Sequence, residues 1–399
     1  MNFLAVNAGS SSLKFALYPA AAGWVDTAIF SGQIEGLAPG GQPQLSWRRQ
    51  DQAAQQRQLT GSGDPFALAL DALQACLRTT LAGAPPVAAV AHRVVHGGRF
   101  FQEAVEVTPA VLAQLRTLES LAPLHQPHNL DALEAFIRAM PGVPQVACFD
   151  TAFHATLPAT ETTFAIDRAL SQEGIRRYGF HGLSYQYVSG VLQAHTPRAG
   201  QRVIMAHLGN GASLCATREH RSVATTMGFS ALDGLMMGSR SGALDPGVLL
   251  YLLEQGWDHD RIQTLLYKRS GLLGVSGVSA DMRTLRASTD PQAAFAIALF
   301  AHRVLREIGA LSAVLGGLDV LAFTGGIGEH DALLRQTVCD GLAYLGVAID
   351  APRQARATGN AVESIHAQSS AVEVWVVPTD EGRVAAQEAQ RLLARKSPS

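Results

Sequence analysis

The chain has 399 residues, 47% hydrophobic and 16% charged, with a formal net charge of −2. That length asks for two domains of roughly 150–200 residues each, and the composition is globular. The near-neutral charge excludes a general attraction to nucleic acid or anionic membrane, so any anionic ligand must be met by local groups.

Strand-like runs open the chain at 3–6, 13–18, 28–34 and 44–48, with a polar Gly/Gln/Pro-rich stretch at 35–63 that predicts surface turns or a hairpin. Between the first two runs, Asn7–Ser12 is a turn of small polar residues closed by Lys14. Only three cations are lysines (Lys14, Lys268, Lys396). A lysine among so many arginines, beside backbone N–H groups able to form an anion nest, predicts phosphate binding at Lys14, with the turn's Ser hydroxyls as further donors. Helical patterning follows at 65–82, then the β-rich run 87–96, helices at 108–121 and 127–139, and a buried strand 145–149 that ends at Asp150. A second cycle starts at Arg202 with strand, Gly/Asn/Ser turn and strand, repeating the opening logic without residue-level similarity. Helices at 247–268 and 291–316, strand 319–323, helix 331–345, strand 372–377 and helix 383–395 complete it. Hairpins followed by βα units, twice, predict two α/β domains with mixed sheets facing a cleft. The four scattered cysteines (Cys76, Cys148, Cys215, Cys339) form no C-x-x-C pair and predict free thiols. No basic leader and no apolar run of membrane-spanning length are present, so the expectation is a cytoplasmic chain without membrane or nucleic-acid partners.

Each chemical motif has a plain structural reading beside its functional one. Asn7–Ser12, Gly209–Ser213 and Gly325–Gly328 are tight turns taken singly, but all three follow apolar strands and together suggest a phosphate-and-nucleoside site. Arg93 sits within an apolar strand, where a guanidinium needs an anion: an internal carboxylate or a substrate carboxylate, with equal weight. Asp150 ends a strand, where open sheets place chemistry, or caps a helix. His181 is flanked by glycines in Tyr178-Gly-Phe-His-Gly, which favours a site role over a core one. Arg240 lies on a Gly/Ser loop whose glycines admit close approach of a ligand, or is a surface arginine. Glu381 is a helix-start acid or a Mg²⁺ ligand.

In order along the chain, Asn7-Ala-Gly-Ser-Ser-Ser-Leu-Lys14, His92-Arg-Val-Val-His-Gly-Gly98, Phe149-Asp-Thr-Ala-Phe-His154, Phe180-His-Gly182 and His207-Leu-Gly-Asn-Gly211 resemble motifs of the acetokinase family. So do Gly238-Ser-Arg-Ser-Gly242, Gly274-Val-Ser-Gly-Val-Ser-Ala-Asp-Met-Arg283, Gly325-Gly-Ile-Gly-Glu329 and Pro378-Thr-Asp-Glu381. The resemblance runs nearly end to end. It places the chain in the acetate and sugar kinase, heat-shock chaperone and actin superfamily. It implies two RNase-H-like domains, 1–150 plus 383–399 and 151–382, with mixed β-sheets flanking a central cleft, and a homodimer formed through the second.

The implied activity is reversible Mg²⁺-dependent (Mn²⁺ in its stead) phosphoryl transfer from ATP to acetate, giving acetyl phosphate and ADP. Carried onto matching positions, Asn7 and Glu381 would hold the metal, and Ser12 and Lys14 would meet phosphates. His207, Leu208, Gly209, Asn210, Gly211, Asp281, Met282, Arg283, Gly325, Gly326, Ile327, Gly328, Glu329 and His330 would line the nucleotide. Arg93 would hold the substrate carboxylate, in an acyl pocket of Val95, Leu124, Phe180 and Ala231. Asp150, His181 and Arg240 would be catalytic. An acetate-like nucleophile carries no proton at neutral pH, so Asp150 is expected to orient Mg²⁺ or its water, and Arg240. Departures from the family pattern are His330 for a common asparagine, Tyr185 for a second histidine, Ala231 for proline, Ala224 and Ala243 for aspartate, and Gly382 for glutamate. Ala231 leaves room for about one more methylene, worth roughly 0.8 kcal/mol, too little to exclude propionate, which is expected as a secondary substrate. The competing readings are a propionate or butyrate kinase and an ATP-binding chaperone-like module.

Overall fold

The computed structural model of the chain describes residues 1–9, 11–21, 24–38, 40–50, 52–61, 64–83 and 85–396. Ser10 of the predicted Asn7–Ser12 turn, and several positions of the predicted 35–63 stretch, lie outside the described residues. Two compact units are formed, Met1–Ala152 with Asp380–Ser399, and Phe153–Thr379.

The first unit carries a nine-stranded sheet. Its strands are β1 (Asn2–Ala8), β2 (Ser12–Ala21), β3 (Trp24–Val25), β4 (Phe30–Glu35), β5 (Gln44–Arg49), β6 (Gln55–Gln58), β7 (Val87–Val94), β8 (Val105–Glu106) and β9 (Gln145–Phe149). The order is β6-β5-β4-β2-β1-β7-β9-β8, with β3 beside β2. β5 and β6 form the hairpin expected within 35–63. β1 reads as an unbroken apolar run because both faces are covered. Leu4 and Val6 join Leu70, Leu73 and Phe136 from the helices Pro65–Thr80 and Gln126–Ala139 in one core cluster. Phe3 and Ala5 alternate to the other face and are also buried. The terminal helix Glu381–Lys396 packs against β1 and β7, burying Val384, Ala385, Ala386 and Ala389. Each fully buried Leu, Val or Phe adds roughly 1.5–3 kcal/mol, so this strand is the anchor of the unit.

The second unit has a six-stranded sheet of β10 (Val203–Leu208), β11 (Ala212–Arg218), β12 (Arg221–Thr225), β13 (Val320–Thr324), β14 (Glu363–Ser364) and β15 (Glu373–Val376). Its order is β12-β11-β10-β13-β15-β14. β12, β11 and β10 are antiparallel neighbours, and β10, β13 and β15 run parallel. β4, β2 and β1 followed by β7 and β9 repeat that pattern in the first unit. The two mixed sheets are those of two actin-like ATPase domains, and the second cycle seen in the sequence is a repeat of topology.

Several helices differ from their predicted spans. The 108–121 run is the helix Pro109–Arg116 and a 3₁₀ turn at Glu119–Leu121. The 247–268 run is two helices, Pro246–Glu254 and His259–Lys268. Gly256 at φ +79° ends the first, and the Asp258 carboxylate accepts the Arg261 N–H at 2.8 Å to start the second. The 331–345 run stops as a helix at Gly341, with Ala343–Leu345 a 3₁₀ turn. Gly325–Gly328, read as a loop, is the first turn of a helix, Gly325–His330. The helix Gly182–His195 has no counterpart in the sequence reading. The four cysteines are free, three of them buried. No helix among the described residues is long and apolar enough to cross a membrane.

Candidate active site

In the first unit the charged residues gather at the carboxyl ends of the central strands, the end at which open sheets place their chemistry. Asn7 lies opposite Lys14 in the β1–β2 register, and Val6 pairs with His92 of β7. Asn7, Lys14 and Arg93 therefore sit on adjacent strands. Lys14 is the third residue of β2 rather than the close of the turn, and it is exposed. The Gly9 N–H donates to the Ser12 carbonyl at 2.8 Å, so the turn spends that amide on itself.

Arg93 Nε and Nη2 donate to the two Asp150 oxygens at 3.0 and 2.5 Å. Nη1 donates to Asn7 Oδ1 at 3.3 Å, and Glu381 Oε2 lies 3.6 Å from Nε. The internal ion pair left open by the sequence is thus present, and its acid is Asp150 rather than a helix cap. The Arg93 side chain is 23% exposed and that of Asp150 only 1%. Burial works against the Arg93 charge, but Asp150 and Glu381 outweigh it and raise the guanidinium above its ordinary pKa.

Asn7, Asp150 and Glu381 bring an amide oxygen and two carboxylates around the Arg93 guanidinium. This hard-oxygen set fits Mg²⁺, which takes one or two carboxylates and completes its shell with water and phosphate. Among the described residues, no group of three or more His, Cys, Asp or Glu side chains is arranged to hold a metal. Val95 is buried, with its N–H donating to Asn129 Oδ1 at 3.0 Å, while Asn129 Nδ2 donates to the Ala8 carbonyl at 2.7 Å. Asn129, which the sequence did not single out, therefore ties the end of β1 to the residue after β7. Leu124 is half-buried in the turn before the helix Gln126–Ala139.

In the second unit His181, His207, Gly211 and Arg240 come together. His181 precedes the helix Gly182–His195 with a left-handed backbone, φ 59°, a strained geometry for a non-glycine residue that often marks a functional site. Its Nδ1 is 2.8 Å from Ser213 Oγ, and its ring stacks on His207 at 4.2 Å between centroids. Tyr185 OH meets the same Ser213 Oγ at 2.5 Å, so the tyrosine that departs from the family pattern joins the network orienting His181. His207 Nδ1 is 2.8 Å from Ser184 Oγ. A Cβ on Gly211 would lie 3.3 Å from His181 Nε2 and 3.9 Å from Arg240 Nη1. Glycine leaves that corner open. Arg240 Nη1 donates to the Ala231 carbonyl at 2.9 Å.

Phe180 is buried, and its carbonyl is 2.9 Å from His154 Nε2, while His154 Nδ1 faces Ser222 Oγ at 2.8 Å. Burial pushes His154 down to about 4, so it is a neutral strut beneath the His181 segment.

A cavity of about 980 Å³ lies in the same unit. Eight predicted nucleotide residues line it: Gly209, Asn210, Asp281, Met282, Arg283, Gly326, Ile327 and His330. His207, Leu208, Gly211, Gly325, Gly328 and Glu329 are not in its wall. Glu329 faces back: its Oε1 accepts N–H groups from Gly325 at 2.8 Å and Thr379 at 3.0 Å, which fixes the first turn of its own helix. Asp281 caps the helix Met282–Ala287, and hydrogen bonds from the Arg283 side chain lower its carboxyl to about 2.

The sequence reading missed Arg286, Asp331 and Leu333 in the cavity wall and Arg335 behind it. Arg286 and Asp331 pair at 3.0 Å. Arg335 had a usable signal. In Leu334-Arg-Gln-Thr-Val-Cys339 it sits on the apolar side of a helix, four residues before Cys339.

A sequence model of the acetokinase family matches residues 2–387. An acetate kinase from Rhodopseudomonas palustris is 51% identical over 393 residues, covering 98% of both chains. Among solved structures, Porphyromonas gingivalis acetate kinase superposes with a TM-score of 0.88 at 34% identity, covering 98% of this chain and 99% of that one. A propionate kinase from Francisella tularensis gives 0.89 at 34% identity, covering 97% and 98%.

Proposed function

The chain belongs to the acetokinase family, and from that premise we propose that it transfers the terminal phosphoryl group of ATP reversibly to acetate by direct in-line attack. The observation that carries this reading is the 980 Å³ cavity, walled by three separate segments that match the family's nucleotide motifs. Phosphoryl transfer needs positioning and charge neutralisation more than covalent help. Asp150 and Asn7 hold the Arg93 guanidinium in one plane, and its outer edge takes the acetate carboxylate. His181 and Arg240, set beside the Gly211 corner, neutralise the equatorial oxygens of the group in flight. Lys14 meets the phosphates as a point charge, with Ser12 beside it. Asn7 and Glu381 would hold Mg²⁺, which would supply neutralising charge to the phosphates. Asp150 serves as an orienting carboxylate and moves no proton, because acetate arrives ionised.

Propionate is a second substrate. Val95 and Phe180, the expected acyl contacts, are apolar, and apolar contacts discriminate weakly at the scale of one methylene; a similar chain is a propionate kinase. A homodimer through the second unit is supported by the helix Pro246–Glu254, on which Leu250, Tyr251 and Leu253 are 61%, 59% and 51% exposed. Leu250→Glu is expected to yield monomer in light scattering; an unchanged mass refutes that face. We place the protein in the cytoplasm.

The test incubates the protein with ATP and Mg²⁺ and traps acyl phosphate with hydroxylamine, using acetate, propionate and butyrate in parallel. ADP release that depends on acetate and yields acetyl hydroxamate is expected. Equal ADP release without any acid would instead mark an ATPase of the chaperone kind.

A further inference from the structure

The cavity wall holds one polar group whose hydrogen-bonding sense is set by its surroundings. His330 Nδ1 lies 2.7 Å from the Thr358 carbonyl oxygen. A carbonyl only accepts, so Nδ1 carries the hydrogen, and the neutral ring is left with its lone pair on Nε2. Turning the ring over would give up this hydrogen bond. Its Nδ1–Cε1 edge packs on Gly359, where a Cβ would stand 2.5 Å from Nδ1, and Gly359 itself is at φ +81°.

Behind the ring, one guanidinium ties together the two segments that hold it. Arg335 is wholly buried, and Nη1 donates to the Gly328 and Glu329 carbonyls at 2.9 and 2.7 Å. Nη2 donates to the Ala357 carbonyl at 2.8 Å, and Nε donates to Gln354 Oε1 at 3.2 Å. Gly328 and Glu329 directly precede His330, and Ala357 directly precedes Thr358. Arg335 therefore fixes both the helix end that carries the ring and the carbonyl that sets its tautomer.

The charges nearby are otherwise engaged. Asp331 pairs with Arg286, and Glu329 accepts from Gly325 and Thr379. Ile327 and Leu333 add apolar surface to the same wall, and Leu333 is 64% exposed.

We propose that His330 is a nucleobase-reading residue, presenting a locked acceptor to the 6-amino group of adenine, and that Arg335 is the positioning residue that holds it so. A 6-oxo purine would set acceptor against acceptor. An asparagine, common at this place in the family, can rotate its amide to suit either base; this histidine does so only by giving up its bond to the Thr358 carbonyl. The inference rests on the cavity's being the nucleotide site. It predicts that the chain selects adenine over hypoxanthine nucleotides.

The experiment measures ADP and IDP binding by calorimetry at about pH 8, alongside hydroxamate formation with ATP and ITP. The wild type is expected to favour the adenine nucleotide by about tenfold or more in both readouts. His330→Phe keeps a ring without the lone pair, and should bring the ratio within about threefold, through weaker ADP binding with kcat little changed. His330→Asn should fall between. Arg335→Lys, if folded, should also narrow the ratio, which a purely structural loss would not do. A wild-type ratio near one, or a ratio unaltered by His330→Phe, overturns the proposal. Selective ADP binding without acetyl hydroxamate would sink the kinase reading and leave this inference standing.

Discussion

Asp150→Asn tests the ion pair at the centre of the first unit. At about 4 Å between charge centres and an effective dielectric near 20, the two charges attract by roughly 4 kcal/mol before desolvation is counted. Asparagine keeps one acceptor oxygen for Arg93, and Glu381 still lies 3.6 Å from Nε. The loss should therefore fall below the roughly 3–5 kcal/mol of a buried charge stripped of its partner, at about 2–3 kcal/mol. Asp150→Leu removes both acceptors and should reach that fuller figure. Combining Asp150→Leu with Arg93→Met removes both charges together and should recover most of the loss, giving a coupling of about 2 kcal/mol or more. Hydrogen exchange of the β7 and β9 amides is the suitable assay, since it reads the unit that holds the pair, whereas a single urea midpoint would mix two units. The double variant should regain stability but not acetate turnover, because the guanidinium proposed to hold the substrate is gone. Strictly additive losses would show that the two side chains are not coupled, and the account of Arg93 would fall with them.

Three further outcomes are expected. Burial holds His92, His96 and His154 down to about 4, below the unfolded value of about 6.5. The unfolded chain then binds more protons between those limits, so stability is complete above about pH 6.5 and falls as pH drops, by about 2 kcal/mol per histidine from about pH 7 to 5. Hydrogen-exchange protection of the β7 and β10 amides at both pH values checks this in each unit, and equal protection at both would refute it. Gly211→Ala sets a methyl 3.3 Å from His181 Nε2; kcat should fall about tenfold or more with nucleotide affinity nearly kept, and unchanged kcat would remove Gly211 from the site. Glu329→Ala leaves the Gly325 and Thr379 N–H groups without their acceptor, so ADP should bind about tenfold more weakly, with calorimetry as the check and unaltered affinity as the refutation.

What the sequence discloses depends on whether the partner is local. β10 and β13 are unbroken apolar runs because they are buried on both faces, and such runs are legible alone. Arg93 in an apolar strand announced that an anion must meet it, but Asp150 is 57 residues away and nothing local names it. The glycines of Gly325–Gly328 suggested a loop. Glu329 reaches back to the Gly325 N–H and satisfies a donor that the first helical turn leaves open. The helix Gly182–His195 carries Ser, Tyr, Val and Gly in place of strong helix formers, and burial of Leu183, Val188 and Leu192 decides its conformation. Gly256 and Asp258, by contrast, are ordinary stop and start signals; the split at 255–258 could have been read.

The repeat shows as a pattern of topology and not as residues. Both units place three antiparallel strands before two parallel ones, and in both the chemistry clusters where those strands end. Their burdens differ. The end of β1 and β7 holds a guanidinium clamped by carboxylates, which demands Asn, Arg and Asp at set places. The end of β10 and β13 must let backbone approach a ligand, which demands glycines at 209, 211 and 326, with Glu329 as an internal strut. Apolar burial sets the strand order in both units, while the strand ends carry unlike side chains. A substitution that carries one end's chemistry to the other should then fail even where the backbone accommodates it: Gly209→Asn should abolish nucleotide binding without unfolding the second unit. Retained ADP binding in that variant would mean that the two ends are less specialised than their side chains suggest.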